Sequence, residues 1–246
     1  MSNGRVRELD KLIAGIGPGS GKKLSVKKMV VQAKDYVEVI KAVTKGNFDL
    51  LVKSVNPTID IKTVLFGRED TRLLHYCPCP VLVLKPSRRK LWKNILGAVD
   101  PRIQTSEGLD LNKDILDLGA FFAEQSNAPL HLLHVLEKAL PDAKLASKDE
   151  LAELESSLKG DAERKMRKLQ EGQHSIKLHE HLLKGRPAKV IAQFIASENI
   201  DLLIMDSVAR SGASAFLVGN TAEKIMDEVD CSLLVLKPKG WQTPIQ

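Results

Sequence analysis

Two stretches of sequence decide the fold: FDLLVKSVNPTIDIKTVLFGREDTRLLHYCPCPVLVLKP at residues 48–86 and IDLLIMDSVARSGASAFLVGNTAEKIMDEVDCSLLVLKP at residues 200–238. They align at a constant offset of 152 residues without a gap. Eleven of the 39 aligned positions are identical, where average composition would give roughly two. The identical pairs include Gly67/Gly219 and Cys79/Cys231. The chain therefore contains two copies of one unit.

The second copy alternates strands with helices. Apolar, partly β-branched runs predict strands at 94–100, 129–136, 175–183, 201–206 and 232–237. Helical spacing of the apolar residues predicts helices at 108–126, 148–170, 187–197 and 220–229. Continuously apolar strands that alternate with helices are typical of a parallel sheet covered on both faces. We expect an α/β fold with a doubly wound parallel five-stranded sheet of order 3-2-1-4-5.

The same offset leaves the first copy incomplete. It predicts strands at 26–32, 48–53 and 80–85 and helices at 35–45 and 68–76, whereas the counterparts of residues 94–136 would precede residue 1. The first copy then has only strands 3 to 5, so either the chain is a truncation or a partner chain completes the sheet. We divide the chain into an incomplete domain at 1–87, a linker at 88–93, a complete domain at 94–240 and a tail at 241–246.

Composition limits the class of protein. The chain has 246 residues, of which 43% are hydrophobic and 28% charged, with a mean hydropathy of -0.13. These values are typical of a globular protein with a sizeable core and exclude a disordered or collagen-like chain. No apolar run approaches the roughly 20 residues of a membrane span, and the first residues lack the apolar core of a signal peptide. Three cysteines do not form a disulfide framework. We expect a cytoplasmic protein.

The net charge of +6 is unevenly distributed. Residues 1–90 hold 18 Lys and Arg against 8 Asp and Glu, and residues 91–246 hold 19 against 23. A basic first third could attract nucleic acid. Aromatic residues make up only 4% of the chain, so single-stranded nucleic acid would find few stacking partners. We expect no nucleic-acid partner and keep weak nucleic-acid binding as an alternative.

Several segments together resemble the universal stress protein family: CPVLVLKP at 79–86, GRPAKVI at 185–191, CSLLVLKP at 231–238 and the tail KPKGWQTP at 237–244. The tandem arrangement is most similar to the E-type tandem members of bacteria. The resemblance implies a stress-response module that binds a small ligand or signals and is not an enzyme. It also implies an adenine-nucleotide-type site, for ATP or AMP, at the carboxyl ends of strands 1 and 4. A slow ATPase on the same superfold is the enzyme alternative.

The nucleotide motif of the family, G-x2-G-x9-G-[ST], is degenerate here. If Gly219 is its last glycine, Asp206 and Ala209 replace the first two glycines and Asn220 replaces the Ser or Thr. A carboxylate at position 206 repels a phosphate chain unless a metal ion bridges the two. In the first copy Pro57 occupies the second glycine position and cannot donate an amide. We expect weak or metal-dependent ATP binding in the second copy and no phosphate site in the first.

The resemblance implies one set of ligand-binding residues in the second domain. They are Asp100, Pro101, Met205, Asp206, Arg210, Gly219, Asn220 and Thr221. Asp100 matches the acidic residue that the family places beside the base and ribose, or it caps the turn before Pro101. Asn220 and Thr221 begin a helix that could attract an anion, with Arg210 adding charge. Alternatively, Asn220 is only a helix cap and Arg210 a solvated loop residue.

Other motifs favour structural interpretations. GIGPGSGKK at 15–23 has Ile16 and Lys23 where a phosphate-binding loop needs glycine and Ser or Thr, so it predicts a turn. His75, Cys77 and Cys79 could suggest zinc, but no second ligand pair of Cys-x-x-Cys type elsewhere in the chain supports it. We interpret His179 and His181, on one face of a strand, as hydrogen-bonded structure. We find no catalytic constellation and predict no metal.

The incomplete first copy bears on assembly. The apolar runs VLVLK at 81–85 and LLVLK at 233–237 are the fifth strands of the two copies. The resemblance implies that they pair inside the chain, since fifth strands commonly pair across domains in stress-protein relatives. The strand at 49–52 would then form an open edge that needs a second molecule or residues 1–34 to cover it. We therefore expect a homo-oligomer.

Overall fold

The computed structural model describes residues 35–54, 68–85, 91–103, 105–137, 148–171, 176–207, 224–225 and 228–245. Its strands are β1 (Leu51–Ser54), β2 (Val81–Leu84), β3 (Ile95–Ala98), β4 (Leu130–Leu136), β5 (Leu178–Lys184), β6 (Leu202–Asp206) and β7 (Ser232–Leu236). Its helices are α1 (Tyr36–Gly46), α2 (Arg68–Tyr76), α3 (Ser106–Ser126), α4 (Lys148–Leu169) and α5 (Pro187–Glu198).

The seven strands form one sheet in the order β1-β2-β7-β6-β3-β4-β5. The second copy contributes β5-β4-β3-β6-β7, and neighbouring strands in this part are all parallel. When the strands are numbered within the second copy alone, β3 is its strand 1 and the order is 3-2-1-4-5. The predicted order is therefore confirmed. The first copy adds β1 and β2, which are parallel to each other, while β2 is antiparallel to β7. The two copies share a single mixed sheet.

The seam between the copies is the β2–β7 pair. Leu82 pairs with Leu234, which is its own counterpart at the 152-residue offset. A local two-fold axis thus passes through this pair, as in an isologous dimer contact. Each of these strands would otherwise be an edge of its own copy, so pairing protects both edges. The predicted pairing of 81–85 with 233–237 is confirmed.

Two equivalent lysines reinforce the seam. Lys85 Nζ donates to the Val229 carbonyl at 2.7 Å, just before β7. Lys237 Nζ donates to the carbonyls of Leu74 and His75, at 2.6 and 3.0 Å, in the last turn of α2. The last carbonyls of a helix lack partners within the helix, and a lysine side chain can satisfy them. Each copy therefore stabilises the segment that precedes the fifth strand of the other.

Apolar residues cover both faces of the sheet. On one face Val43 of α1, Leu74 of α2 and Phe194 of α5 belong to one buried cluster. On the other, Ile115 of α3 and Met166 of α4 belong to a second cluster. This is the doubly wound arrangement that the continuously apolar strands predict.

Several element boundaries differ from the sequence predictions. β1 starts at Leu51, where pairing with Val81 begins, and Phe48 and Leu50 before it are exposed. β3 is limited to Ile95–Ala98, and β5 runs from Leu178 to Lys184. Apolar runs mark where side chains can be buried, whereas a strand requires a paired backbone. The strand predicted at 26–32 and most of the helix predicted at 220–229 lie outside the described residues.

We also searched the described helices for a membrane span. None is both long enough and apolar enough to cross a bilayer.

Candidate functional site

The strand order reverses between β3 and β6. From β3 the chain continues to β4 and β5 on one side, then returns to β6 on the other side of β3. Ligands of doubly wound sheets bind in the crevice that such a reversal opens at the carboxyl ends of the strands. Asp100 lies just after β3 and Asp206 ends β6, and these strands are hydrogen-bonded neighbours. Asp100 and Asp206, both predicted site residues, therefore lie at the end of the sheet where the parallel strands have their carboxyl ends.

Asp100 is almost fully buried, with 2% of its surface exposed. Its two carboxylate oxygens accept from Arg102 Nε and Nη2, each at 3.0 Å. The Arg102 backbone N–H also donates to Oδ1, at 3.1 Å, so the carboxylate closes the turn through Pro101. The hydrogen bond from Arg102 to Asp100 raises the pKa of the guanidinium. The turn-capping interpretation of Asp100 is confirmed, and its role in ligand binding stays a prediction.

Two further side chains hold Asp100 in place. Asn112 of α3 accepts from the Asp100 backbone N–H at 3.0 Å and donates to its carbonyl at 2.8 Å. His134, at the end of β4, donates from Nδ1 to the Val99 carbonyl at 3.0 Å and lies 3.8 Å from the Asp100 carboxylate. Sequence reasoning missed both residues and Arg102. Asn112 did leave a signal, because it is a polar residue beside Leu111 on the apolar face of a helix.

The β6 side of the crevice is anchored in the core. Met205 is buried in the cluster beneath α5, and Asp206 is partly exposed. Ser207, 4% exposed, donates to the Leu236 carbonyl and accepts from Lys237 Nζ at 3.1 Å. The same lysine that caps α2 of the first copy thus holds the start of the loop after β6.

The remaining predicted site residues follow this point in the chain. Arg210, Gly219, Asn220 and Thr221 lie outside the described residues. Their place in the site stays a prediction.

Two clefts lie beside the Asp100 turn. One, of about 470 Å³, lies between α4 and the ends of β4 and β5, and its lining holds three basic and two acidic side chains, of which Lys184 and Glu155 form an ion pair. The other, of about 450 Å³, lies between α3 and α4 and includes Pro101. Both volumes are in the range of small-molecule pockets. Sequence reasoning missed the clefts because their walls come from elements that are distant in the chain.

Three histidines stack on one face of the sheet under α5. His131 Nδ1 lies 3.0 Å from His181 Nε2, and the His131 ring stacks on those of both His179 and His181 at 5.2 Å. The Phe194 ring is 4.6 Å from His181. Burial lowers the pKa of His131 and of His181. This packing agrees with the prediction that His179 and His181 lie on one face of a strand and have a structural role.

A metal site would need a convergent set of ligands. Among the residues that the structure describes, no group of three or more His, Cys, Asp or Glu side chains is placed to hold a metal ion.

A parallel sheet with helices on both faces, whose strand order reverses between neighbouring strands, defines a Rossmann-like α/β protein. This chain belongs to the universal stress protein family, whose sequence profile matches residues 92–237. It is 30% identical over 236 residues to universal stress protein E of Photorhabdus laumondii, covering 89% of this chain and 71% of that protein. It is 29% identical over 232 residues to universal stress protein E of Escherichia coli, covering 89% and 70%.

Solved structures agree with the fold. The crystal structure of a functionally unknown protein from Pseudomonas aeruginosa superposes with a TM-score of 0.70 at 23% identity, covering 96% of this chain and 78% of that one. A universal stress protein from Archaeoglobus fulgidus gives a TM-score of 0.58 at 22% identity, covering 96% and 77%. At these identities the likeness supports the fold alone.

Proposed function

We propose that this universal stress protein is a ligand-binding or signalling module of the stress response, and not a dedicated enzyme. Its second copy would hold an adenine nucleotide in the crevice between β3 and β6. The observation that carries the proposal is the position of the Asp100–Arg102 pair and Asp206 at the carboxyl ends of neighbouring strands where the strand order reverses. We also propose that the protein acts in the cytoplasm.

Charge at the crevice favours a nucleotide with few phosphates. Asp206 ends β6 where the glycine motif would bring a backbone amide to the phosphates, and a carboxylate repels them instead. The Asp100 carboxylate is already neutralised by Arg102. AMP, with one phosphate, meets less repulsion than ATP. ATP would need a divalent cation to bridge its phosphates to Asp206.

Isothermal titration tests this proposal. We expect AMP to bind more tightly than metal-free ATP, and Mg²⁺ to improve ATP binding. The paired change Asp206→Gly with Ala209→Gly should strengthen ATP binding about ten-fold, equivalent to about 1.4 kcal/mol. Ser54→Gly alters the position equivalent to Asp206 in the first copy and is the matched control, with no effect expected. Micromolar ATP binding by the unmodified protein without metal would contradict the charge argument.

The two alternative functions give different signatures. A slow ATPase would release ADP at a rate that depends on protein concentration and is lost when the crevice is altered. A nucleic-acid binder would bind a generic duplex with a steep salt dependence. A nucleotide that raises the thermal midpoint without turnover favours the ligand-binding module.

We further propose that the chain self-associates through β1. Among the described strands, β1 pairs only with β2, and Leu50 and Val52 are 44% and 51% exposed. An apolar sheet edge of this kind can pair with another chain. Light scattering at tens of micromolar should give a mass above that of one chain. Val52→Lys should lower it towards the monomer, and a concentration-independent mass of 27.1 kDa for the unmodified protein would contradict the proposal.

A further inference from the structure

Two thiols lie in contact between α2 and β2 of the first copy. Cys77 follows α2, Cys79 lies two residues before β2, and Pro78 separates them. Their sulfur atoms are 3.6 Å apart. Cys77 is fully buried and Cys79 is 6% exposed. Both cysteines are free thiols, so this contact brings two oxidisable sulfur atoms within reach of each other.

A buried cation lies beside this pair. Lys237 Nζ is held by the carbonyls of Leu74 and His75, three and two residues before Cys77. Burial lowers the pKa of Lys237 to about 8, so its side chain is still mostly an ammonium at pH 7. The hydrogen bond from Cys79, with a contribution from the Lys237 charge, lowers the pKa of Cys77 to about 7. The same contact, together with burial, raises the pKa of Cys79.

This division of roles suits a two-thiol reaction. The thiolate is the reactive form of cysteine, and the contact with Cys79 and the Lys237 ammonium favour the thiolate at Cys77. Because Cys77 is fully buried, peroxide reaches its sulfur when the segment between α2 and β2 opens locally. Cys79 retains its proton and lies in contact, as a resolving thiol must.

The second copy provides an internal comparison. At the 152-residue offset Cys79 corresponds to Cys231 and Lys237 to Lys85, but Cys77 corresponds to Val229. Cys231 is buried and has no neighbouring thiol among the described residues, and burial raises its pKa to about 12. The reactive pair therefore belongs to the first copy alone.

We propose that Cys77 and Cys79 form an oxidation site that reduces hydrogen peroxide and closes to an intramolecular disulfide. The Cys77 thiolate attacks one peroxide oxygen, the O–O bond breaks, and the departing hydroxide takes a proton from solvent to become water. Cys77 is then a sulfenic acid. The Cys79 sulfur attacks the Cys77 sulfur, the S–O bond breaks, and the hydroxide leaves as a second water with the Cys79 proton. Two thiols lose two electrons, and one peroxide becomes two waters.

Peptide mapping after peroxide exposure tests this directly. The folded chain is treated with hydrogen peroxide, alkylated and digested with trypsin, which leaves Cys77 and Cys79 in residues 73–88 and Cys231 in residues 225–239. We expect the peptide 73–88 to lose two hydrogen atoms as its disulfide forms, so that its cysteines are no longer alkylated. This disulfide should form at least ten times faster than Cys231 is oxidised. Equal oxidation rates, a reduced first peptide in the folded protein, or disulfides only between molecules would each overturn the proposal.

Three variants assign the roles. Cys77→Val installs the residue of the second copy and should abolish the disulfide. Cys79→Ser should leave a sulfenic acid on Cys77 that dimedone traps. Lys237→Gln should slow oxidation only about two-fold, because the Lys237 charge contributes less to the lowered pKa of Cys77 than the contact with Cys79 does. Circular dichroism checks that each variant is folded. If Cys79→Ser is folded and dimedone labels nothing on Cys77, Cys77 is not the attacking thiol and the proposal is wrong.

Discussion

The two copies of the repeat use the same backbone frame for different chemistry. Asn47 and Asn199 are equivalent, and both end a helix in the left-handed conformation, with φ of 47° and 50°. Lys85 and Lys237 are equivalent and make reciprocal contacts across the seam. Away from the seam the copies diverge: the first holds the Cys77–Cys79 contact, and the second holds the Asp100–Arg102 pair. The shared positions build one sheet, and the divergent positions carry the two proposed sites.

The largest effect should come from breaking the seam symmetrically. Leu82→Ala and Leu234→Ala each remove a buried side chain from the same apolar cluster, and the two residues pair across the local two-fold axis. Each change should lower the free energy of unfolding by about 2–5 kcal/mol. Denaturant unfolding followed by circular dichroism measures this loss.

The pattern of unfolding sharpens the comparison. Because the copies share one sheet, both variants should still unfold in one transition, with similar losses. Leu154→Ala, at a residue of α4 that is 48% exposed, is the control and should change stability little. If Leu82→Ala produced a separate first transition, the first copy would unfold independently of the second.

A smaller loss of stability should appear on acidification, and it should come from histidines of the second copy. Burial lowers the pKa of His131 and of His181 from the value of 6.5 in the unfolded chain, opposed at His181 chiefly by Glu198 of α5 and by Glu180. The unfolded chain therefore binds more protons once the pH falls below about 6.5. This contribution to stability is complete above pH 6.5 and is lost as the pH falls towards the lowered pKa values.

Thermal unfolding between pH 7.5 and 5.5 measures that loss. We expect the thermal midpoint to fall as the pH falls. His181→Gln should make this fall shallower, because it removes one titrating group and the repulsion that a charged His181 exerts on a charged His131. Leu154→Ala, an exposed change on α4 that leaves every histidine in place, should keep the slope of the unmodified protein. An unchanged slope in His181→Gln would show that the histidine stack does not control the pH dependence.

Much of this fold was predictable from the sequence, for physical reasons. The 152-residue offset and the continuously apolar strands are patterns of the sequence itself, and they predicted the parallel order, whereas the pairing of the fifth strands followed from the family resemblance. The strand ends were less predictable, because β1 starts where Leu51 meets Val81, a contact between distant residues. The Asp100 turn was found, but Arg102, Asn112 and His134 were not, since only the fold brings them together. The short contact between Cys77 and Cys79 likewise depends on how α2 joins β2.

Hydrogen exchange of the whole chain, with and without AMP and Mg²⁺, tests most directly that the ligand belongs to the second copy. The segments to compare are the Asp100 turn at 99–103 and the end of β6 at 205–207, against the equivalent end of β1 at 53–54. We predict that AMP slows exchange at the Asp100 turn and at the end of β6 and leaves the end of β1 unchanged. Protection at β1, or no protection anywhere at saturating AMP, would contradict the assignment of the ligand site to the second copy.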